Sequence, residues 1–172
     1  MGLKVGTVKL EEYNPKWKDM YLDEEKNLKE MFGDVALAIE HIGSTSVEGL
    51  SAKPIIDIAI GVKNLSDFDK VAKKFMVEPY SVKEDSTEGE ILVRKGNEDN
   101  RTHFIHVMEI DGDRYIESIL FRDYLRKNAW ALQEYEDLKK ELAIKYADDR
   151  KKYTASKNEF INKILKLAYE EK

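Results

Sequence analysis

Asp57 is the only charged residue in the run Ile55-Ile56-Asp57-Ile58-Ala59-Ile60-Gly61-Val62. Side chains alternate along a strand, so Ile56, Ile58, Ile60 and Val62 share one face, built for packing. Asp57 shares the other face with Ile55, Ala59 and Gly61, and small neighbours leave room for something to approach it. An unpaired buried carboxylate is costly. Asp57 therefore needs a metal, a cation or several donors. From the residues alone, a structural carboxylate accepting from backbone or from Lys53 stands equally open.

A second group lies upstream. Gly43-Ser44-Thr45-Ser46 follows an apolar segment, and glycine lets a turn approach a ligand closely. Hydroxyls and amides there suit an oxyanion, although Ser and Thr after Gly also mark ordinary turns. No GxxxxGK[ST] is present, so this is not a P-loop. The three histidines are His41, His103 and His106. His103 and His106 are three apart in a strand pattern and point to opposite faces, a poor arrangement for two metal ligands from one element. Arg122 and Arg126 are spaced to share a helix face, where they can clamp an anion or pair with Asp123. The run Asp148-Asp149-Arg150-Lys151 reads as a solvated loop with helix-end charges.

The elements that must position these groups follow from periodicity. Val5–Glu12 reads as a short strand, and Asn14-Pro15 opens a helix that carries Trp17, Met20, Tyr21, Leu28, Met31 and Phe32 and ends at Gly33. Val35–Ile42 and Ile55–Val62 read as strands, Leu65–Phe75 as a short helix, and the chain near Tyr80 as an edge strand. Glu90–Lys95 and Thr102–Ile110 form a hairpin around Gly96–Asn100. Helices are predicted near 114–127, 129–147 and 154–170. This is an α+β, mixed-sheet α/β pattern with helices dominating the C-terminal part.

Composition bounds the function. The chain has 172 residues, 42% hydrophobic and 37% charged, and no cysteine, which excludes a disulfide framework, a thiolate zinc site and a cysteine nucleophile. No apolar run is long enough for a bilayer, and the N-terminus lacks an apolar signal segment; a cytoplasmic protein is expected. The net charge of −5 argues against broad nucleic-acid binding. A nucleic acid is left open only as an acceptor. All six arginines lie from Arg94 onward, and arginine is the better bidentate partner for phosphate.

Two blocks resemble the GrpB-like family, bacterial proteins of the nucleotidyltransferase superfamily. The first is Ile39-Glu40-His41-Ile42-Gly43-Ser44-Thr45-Ser46-Val47 with Gly49–Ile58. The second runs from Val93-Arg94-Lys95-Gly96 through Arg101-Thr102-His103 and Ile105-His106-Val107 to Leu120–Arg126. Tyr13–Trp17 fits the family's opening motif. Tyr135, Leu138-Lys139, Leu142-Ala143, Tyr146, Asp149-Arg150, Tyr153 and Lys157 fit its helical tail. The resemblance implies a nucleotidyltransferase-like core over 1–112 and a helical region over 113–172 packed on it as one compact unit.

It also implies a site. In the superfamily a Gly-Ser loop contacts a triphosphate, an Asp-x-Asp strand binds two divalent metals, and a later strand supplies a third acid. Gly43, Ser44 and Asp57 match, but Ile55 and Ala59 stand where the second carboxylate would be. Glu90 and Glu109 are candidates for the third acid, and His106 could replace a carboxylate. Phe104 stands where another histidine is common. One expectation is a metal-dependent enzyme that binds a nucleoside triphosphate and transfers a nucleotidyl or phosphoryl group. Asp57, Ser44 and His106 would then be catalytic, with Mg²⁺ or Mn²⁺ on Asp57. Gly43, Ser44, Thr45, His41, Lys53, Arg94, Arg101 and His103 would bind the substrate. The other is a non-catalytic protein that binds a nucleotide or phosphorylated ligand. Because GrpB-like domains also occur fused to dephospho-coenzyme A kinase, a link to coenzyme A metabolism belongs to this second reading.

Overall fold

The computed structural model describes residues 2–85 and 87–172. Helix α1 (Lys16–Phe32) precedes a mixed sheet of five strands: β1 (Ala38–Ile42), β2 (Ile56–Val62), β3 (Tyr80–Val82), β4 (Glu90–Gly96) and β5 (Arg101–Glu109). Helices α2 (Asp113–Lys127), α3 (Ala129–Lys145), α4 (Arg150–Ala155) and α5 (Asn158–Glu170) follow. The strand order is β1-β2-β5-β4-β3. Only the central pair, β2 with β5, is parallel; the other pairings are antiparallel.

Alternation along β2 divides the molecule. Ile56, Ile58, Ile60 and Val62 are fully buried with Trp17, Leu28 and Phe32 of α1 and with Val93, Ile105 and Val107 of the neighbouring strands. The opposite face carries Asp57 and Ala59 and is covered by the C-terminal helices. There Val47 and Leu50, from the loop after β1, join Tyr124, Leu125, Ala131, Tyr135, Ile164 and Ala168 in a second core. The helical tail is therefore anchored on the segment that leads into β2. Among the described residues no helix is long and apolar enough to cross a membrane.

Local chemistry accounts for the boundaries. The Asn14 side chain accepts from the Lys16 amide at 3.0 Å, and Pro15 supplies a helical φ of −55° at the entry to α1. Three elements differ from the sequence reading. The Val5–Glu12 strand is absent as a ladder. Its backbone is spent on loops and the tail instead: Val5 N–H donates to Glu98 O at 2.8 Å and Val8 N–H to Ala147 O at 2.9 Å, with an isolated bridge from Glu11 to Ala52. The 65–75 helix is two 3₁₀ turns, Leu65–Lys70 and Ala72–Phe75, broken at Val71, whose φ of −122° is not helical. The last predicted helix is two, α4 and α5. The Asp149 carboxylate accepts from Lys152 N–H at 3.1 Å and starts α4 at Arg150, ahead of the start expected near 154.

Candidate functional site

A cavity of about 320 Å³ lies between the sheet and the C-terminal helices. Ile42, Gly43, Ser44 and Thr45 form one wall, and Lys53, Ile55 and Asp57 lead into β2. Phe104 and His106 come from β5. The tail contributes Tyr135 and Lys139 from α3, Tyr153 and Thr154 from α4, and Lys157.

The turn after β1 is fixed by its own bonds. Gly43 has a φ of +70°, a region that non-glycine residues rarely enter. Ser46 Oγ donates to Gly43 O at 2.5 Å, and Ser46 N–H to the same carbonyl at 3.1 Å. This leaves Ser44 lining the cavity together with the buried Tyr135. Thr45 also lines the cavity, but its hydroxyl bonds the His41 ring at 2.9 Å.

Asp57 is held in a linear array. His106 Nε2 donates to Asp57 Oδ1 at 3.0 Å, and His106 Nδ1 bonds Glu90 Oε1. Arg114 reaches Glu90 Oε2 at 3.4 Å from the far side. Register explains the alignment: His106 lies opposite Ala59 on β2 and opposite Leu92 on β4. Burial alone would lower the His106 pKa, but the bonds to Asp57 and Glu90 outweigh it and push the value up to about 9. Burial likewise raises Glu90, and the bond and charge of His106 outweigh it, holding the carboxyl below its usual range. His106 is thus an imidazolium at neutral pH, with both nitrogens donating.

That state bears on a metal. Both ring nitrogens of His106 are engaged by carboxylates, and one oxygen of Asp57 is taken by His106. Among the described residues no group of three or more His, Cys, Asp or Glu side chains comes together as a metal cluster. The donor set does not fit a divalent ion held by the protein alone.

What the cavity concentrates is positive charge. Lys139 is 1% exposed and donates to Ser51 O. Its ammonium lies 5.1 Å from the Tyr135 ring centroid. Lys53 and Lys157 lie 5.4 and 4.7 Å from the ring centroid of Tyr153. Burial pushes Lys53 down to about 8, with Lys157 and Arg150 adding to the effect and Asp57 opposing it. Burial pushes Lys157 down to about 8 as well, again against Asp57. Lys139 lies well below its usual value, from burial first and then from Lys157. Asp57 is the single carboxylate among the lining residues.

The structure brings together Gly43, Ser44, Thr45, Lys53, Asp57 and His106 from the sequence-predicted set. It does not bring His41 and His103 with them. His41 lies opposite Ile58, on the α1 face, where it stacks on Tyr21 with centroids 4.7 Å apart. Burial, helped by Arg126 and Arg122 against Asp57, pushes its pKa down to about 4. His103 lies opposite Ile56 and Lys95, beside the buried Glu24 that Lys95 and Tyr80 engage. Arg94 and Arg101 stand near the cavity but do not line it. Arg122 pairs with Glu40 at 2.7 Å and with Asp123 at 2.9 Å, so it is a strut between α2 and β1 and not an anion clamp. Glu109 is remote, accepting from Leu65 N–H at 3.2 Å.

Sequence reasoning missed Tyr135, Lys139, Tyr153 and Lys157 as site residues. One signal was present. Lys139 falls on the buried stripe of α3 with Tyr135 and Leu142, and a cation in an apolar stripe asks for a reason.

A mixed α/β fold with a cationic pocket between sheet and helical tail is the class of protein these features define. The sequence matches the family described as GrpB protein over residues 7–167, and the chain belongs to that family. It is 37% identical over 170 residues to the glutamate-rich protein GrpB of Alkalihalophilus pseudofirmus, covering 96% of this chain and 98% of that one. It is also 37% identical over 150 residues to the Bacillus subtilis protein YqkA, covering 87% of this chain and 43% of that longer one. The crystal structure of conserved protein GrpB from Enterococcus faecalis superposes with a TM-score of 0.86 at 36% identity, covering 95% of this chain and 98% of that one. The mixed sheet with helices therefore matches a solved relative, and placement in the nucleotidyltransferase superfamily is consistent with the family.

Proposed function

We propose that the chain binds a phosphorylated small molecule, with a nucleoside triphosphate as the first candidate, in the pocket between Ser44 and Lys157. The observation that supports this is the convergence of Lys53, Lys139 and Lys157 on one cavity that holds a single carboxylate. Charges withdrawn from water are costly unless paired, and Asp57 is already engaged by His106. An oxyanion would supply the missing pairing. The ammonium groups would offer charge-assisted bonds, and the Ser44 hydroxyl a further donor. Phe104 and Phe121 would give the organic part an apolar wall.

Binding without turnover fits this arrangement better than metal-dependent transfer, because the donors beside Asp57 are engaged with each other. A thermal-shift screen of nucleotides and sugar phosphates, each with EDTA and with Mg²⁺ or Mn²⁺, tests the reading. A ligand at about 100 times its dissociation constant adds ~2.7 kcal/mol of stability. The expected result is a phosphorylated compound that raises the melting temperature in EDTA. Shifts that occur only with Mg²⁺ or Mn²⁺ would favour the metal-dependent enzyme instead.

A further inference from the structure

Arg94 and Arg101 come from the paired strands β4 and β5 and Arg150 from the start of α4, and none of the three forms an ion pair among the described residues. Arg101 opens β5, and its backbone exchanges two 3.0 Å hydrogen bonds with Leu3. Arg150 donates to Thr7 O at 2.9 and 3.1 Å and to Lys4 O at 3.2 Å, on the same N-terminal segment. Arg94 lies opposite Phe104, which lines the pocket. Arg101 lies opposite Gly96, two residues from Arg94, and shares the N-terminal segment with Arg150; burial first, then Arg94 and Arg150, weaken the hold of Arg101 on its proton. Arg150 opens α4, whose Tyr153 and Thr154 line the pocket, so the cluster adjoins it.

The partners do not balance the charge. Arg101 is 5% exposed, yet its Nε and one terminal nitrogen have no acceptor in the protein, and neither has Arg94 Nε. The arginine ion pairs among the described residues belong to Arg114, Arg122 and Arg126. The acid that acts on Arg101 is Glu98, and its effect is smaller than that of the two arginines. A guanidinium cannot escape by losing its proton. A fold gains nothing from bringing such groups together unless an anion joins them.

We propose that Arg94, Arg101 and Arg150 form a second oxyanion site at the edge of the pocket, so that the bound ligand carries two separate phosphate groups. The second half of this rests on the phospho-ligand reading of the pocket; the arginine site itself does not. Tungstate, an oxyanion visible by anomalous scattering, is the probe. Wild-type crystals soaked in it should show one anion at Lys53 and Lys157 and another among the three arginines. Lys157→Met should keep the arginine-bound anion, and Arg101→Met should lose it while keeping the other. An empty arginine cluster in the wild type overturns the proposal. An occupied cluster beside an empty pocket supports the cluster and counts against the pocket reading, which separates the two failures.

Solution data give a second reading. Inorganic phosphate should still raise the melting temperature of Lys157→Met, and should no longer do so once Arg101→Met is added. Without added oxyanion, Arg101→Met removes an unpaired charge, so it should melt at or above the wild-type temperature. A clear fall in both Arg101→Met and Arg94→Met would mark the cluster as structural and overturn the proposal. Arg94→Met reads the same site should Arg101→Met fail to fold.

Discussion

A Cβ atom on Gly43 would lie 2.8 Å from Asp57 Oδ2 and 3.1 Å from Asp57 Cβ. The turn after β1 and the carboxylate of β2 are packed against each other with no room for a methyl group. Their contact follows from register, because Ile42 is paired with Asp57 and the chain must turn immediately beyond it. The turn therefore sets where Ser44 stands relative to Asp57.

Gly43→Ala should be strongly destabilising. It combines a left-handed backbone with a close approach to Asp57. Strain of the backbone alone costs ~1–3 kcal/mol, and the contact adds to it. Urea unfolding should show a lower midpoint with an unchanged slope. A midpoint equal to wild type would show that the turn relaxes freely and does not fix Ser44.

The His106 array should make stability depend on pH. Its folded pKa is raised from 6.5 to about 9. The stabilisation is therefore fully present below the unfolded value and is lost as pH rises through the folded one. The shift corresponds to at most about 3 kcal/mol. The lowered Glu90 pKa is the same contact seen from its partner and adds nothing separate. His106→Gln should flatten the stability profile across the alkaline side of neutrality. A proton NMR titration placing the wild-type His106 pKa at or below 6.5 would contradict the array.

Asp57→Asn should destabilise the protein by about 1–3 kcal/mol whether or not a divalent ion is present, since it removes the charged acceptor of a hydrogen bond. Glu90 would still hold the imidazolium, which limits the loss. A carboxylate whose role is to hold a metal behaves oppositely: neutralising it is neutral or stabilising in EDTA. Melting curves in EDTA decide the sign.

Much of this site is legible in the sequence for a geometric reason. Asp57 is conspicuous because strand alternation sets it against Ile56 and Ile58, and Gly43 because only a turn follows Ile42. The opposite facing of His103 and His106 also follows from parity. The lysines are hard to see because the pocket closes only when α3, α4 and α5 pack on the sheet. Lys139 and Lys157 then meet Asp57 from about a hundred residues away, and no local spacing encodes that meeting. Tyr153 falls just ahead of the helix expected over 154–170, and the Asp149 cap that starts α4 is visible only once its hydrogen bond is formed. Arg150, inside an apparently solvated charge run, is tied to the N-terminal segment by the same tertiary packing.

Ser44→Ala should weaken the phosphorylated ligand while leaving the fold intact. A hydrogen bond to a charged group is worth ~1.5–3 kcal/mol, a loss of roughly tenfold to a hundredfold in affinity. Calorimetric titration checks the affinity, and the melting temperature without ligand checks the fold. Unchanged affinity would remove Ser44 from the phosphate contacts.

The proposed role of the pocket lysines is to hold a phosphorylated ligand without a metal. Isothermal titration with a nucleoside triphosphate in EDTA, for wild type and Lys157→Met, tests it most directly. Lys53 and Lys157 titrate at about 8. Wild-type affinity should therefore be constant near neutral pH and fall as pH rises through that value, while Lys157→Met should bind at least about tenfold more weakly. Binding that vanishes in EDTA, or that is unchanged by Lys157→Met and insensitive to alkaline pH, would show that the lysines do not hold the ligand.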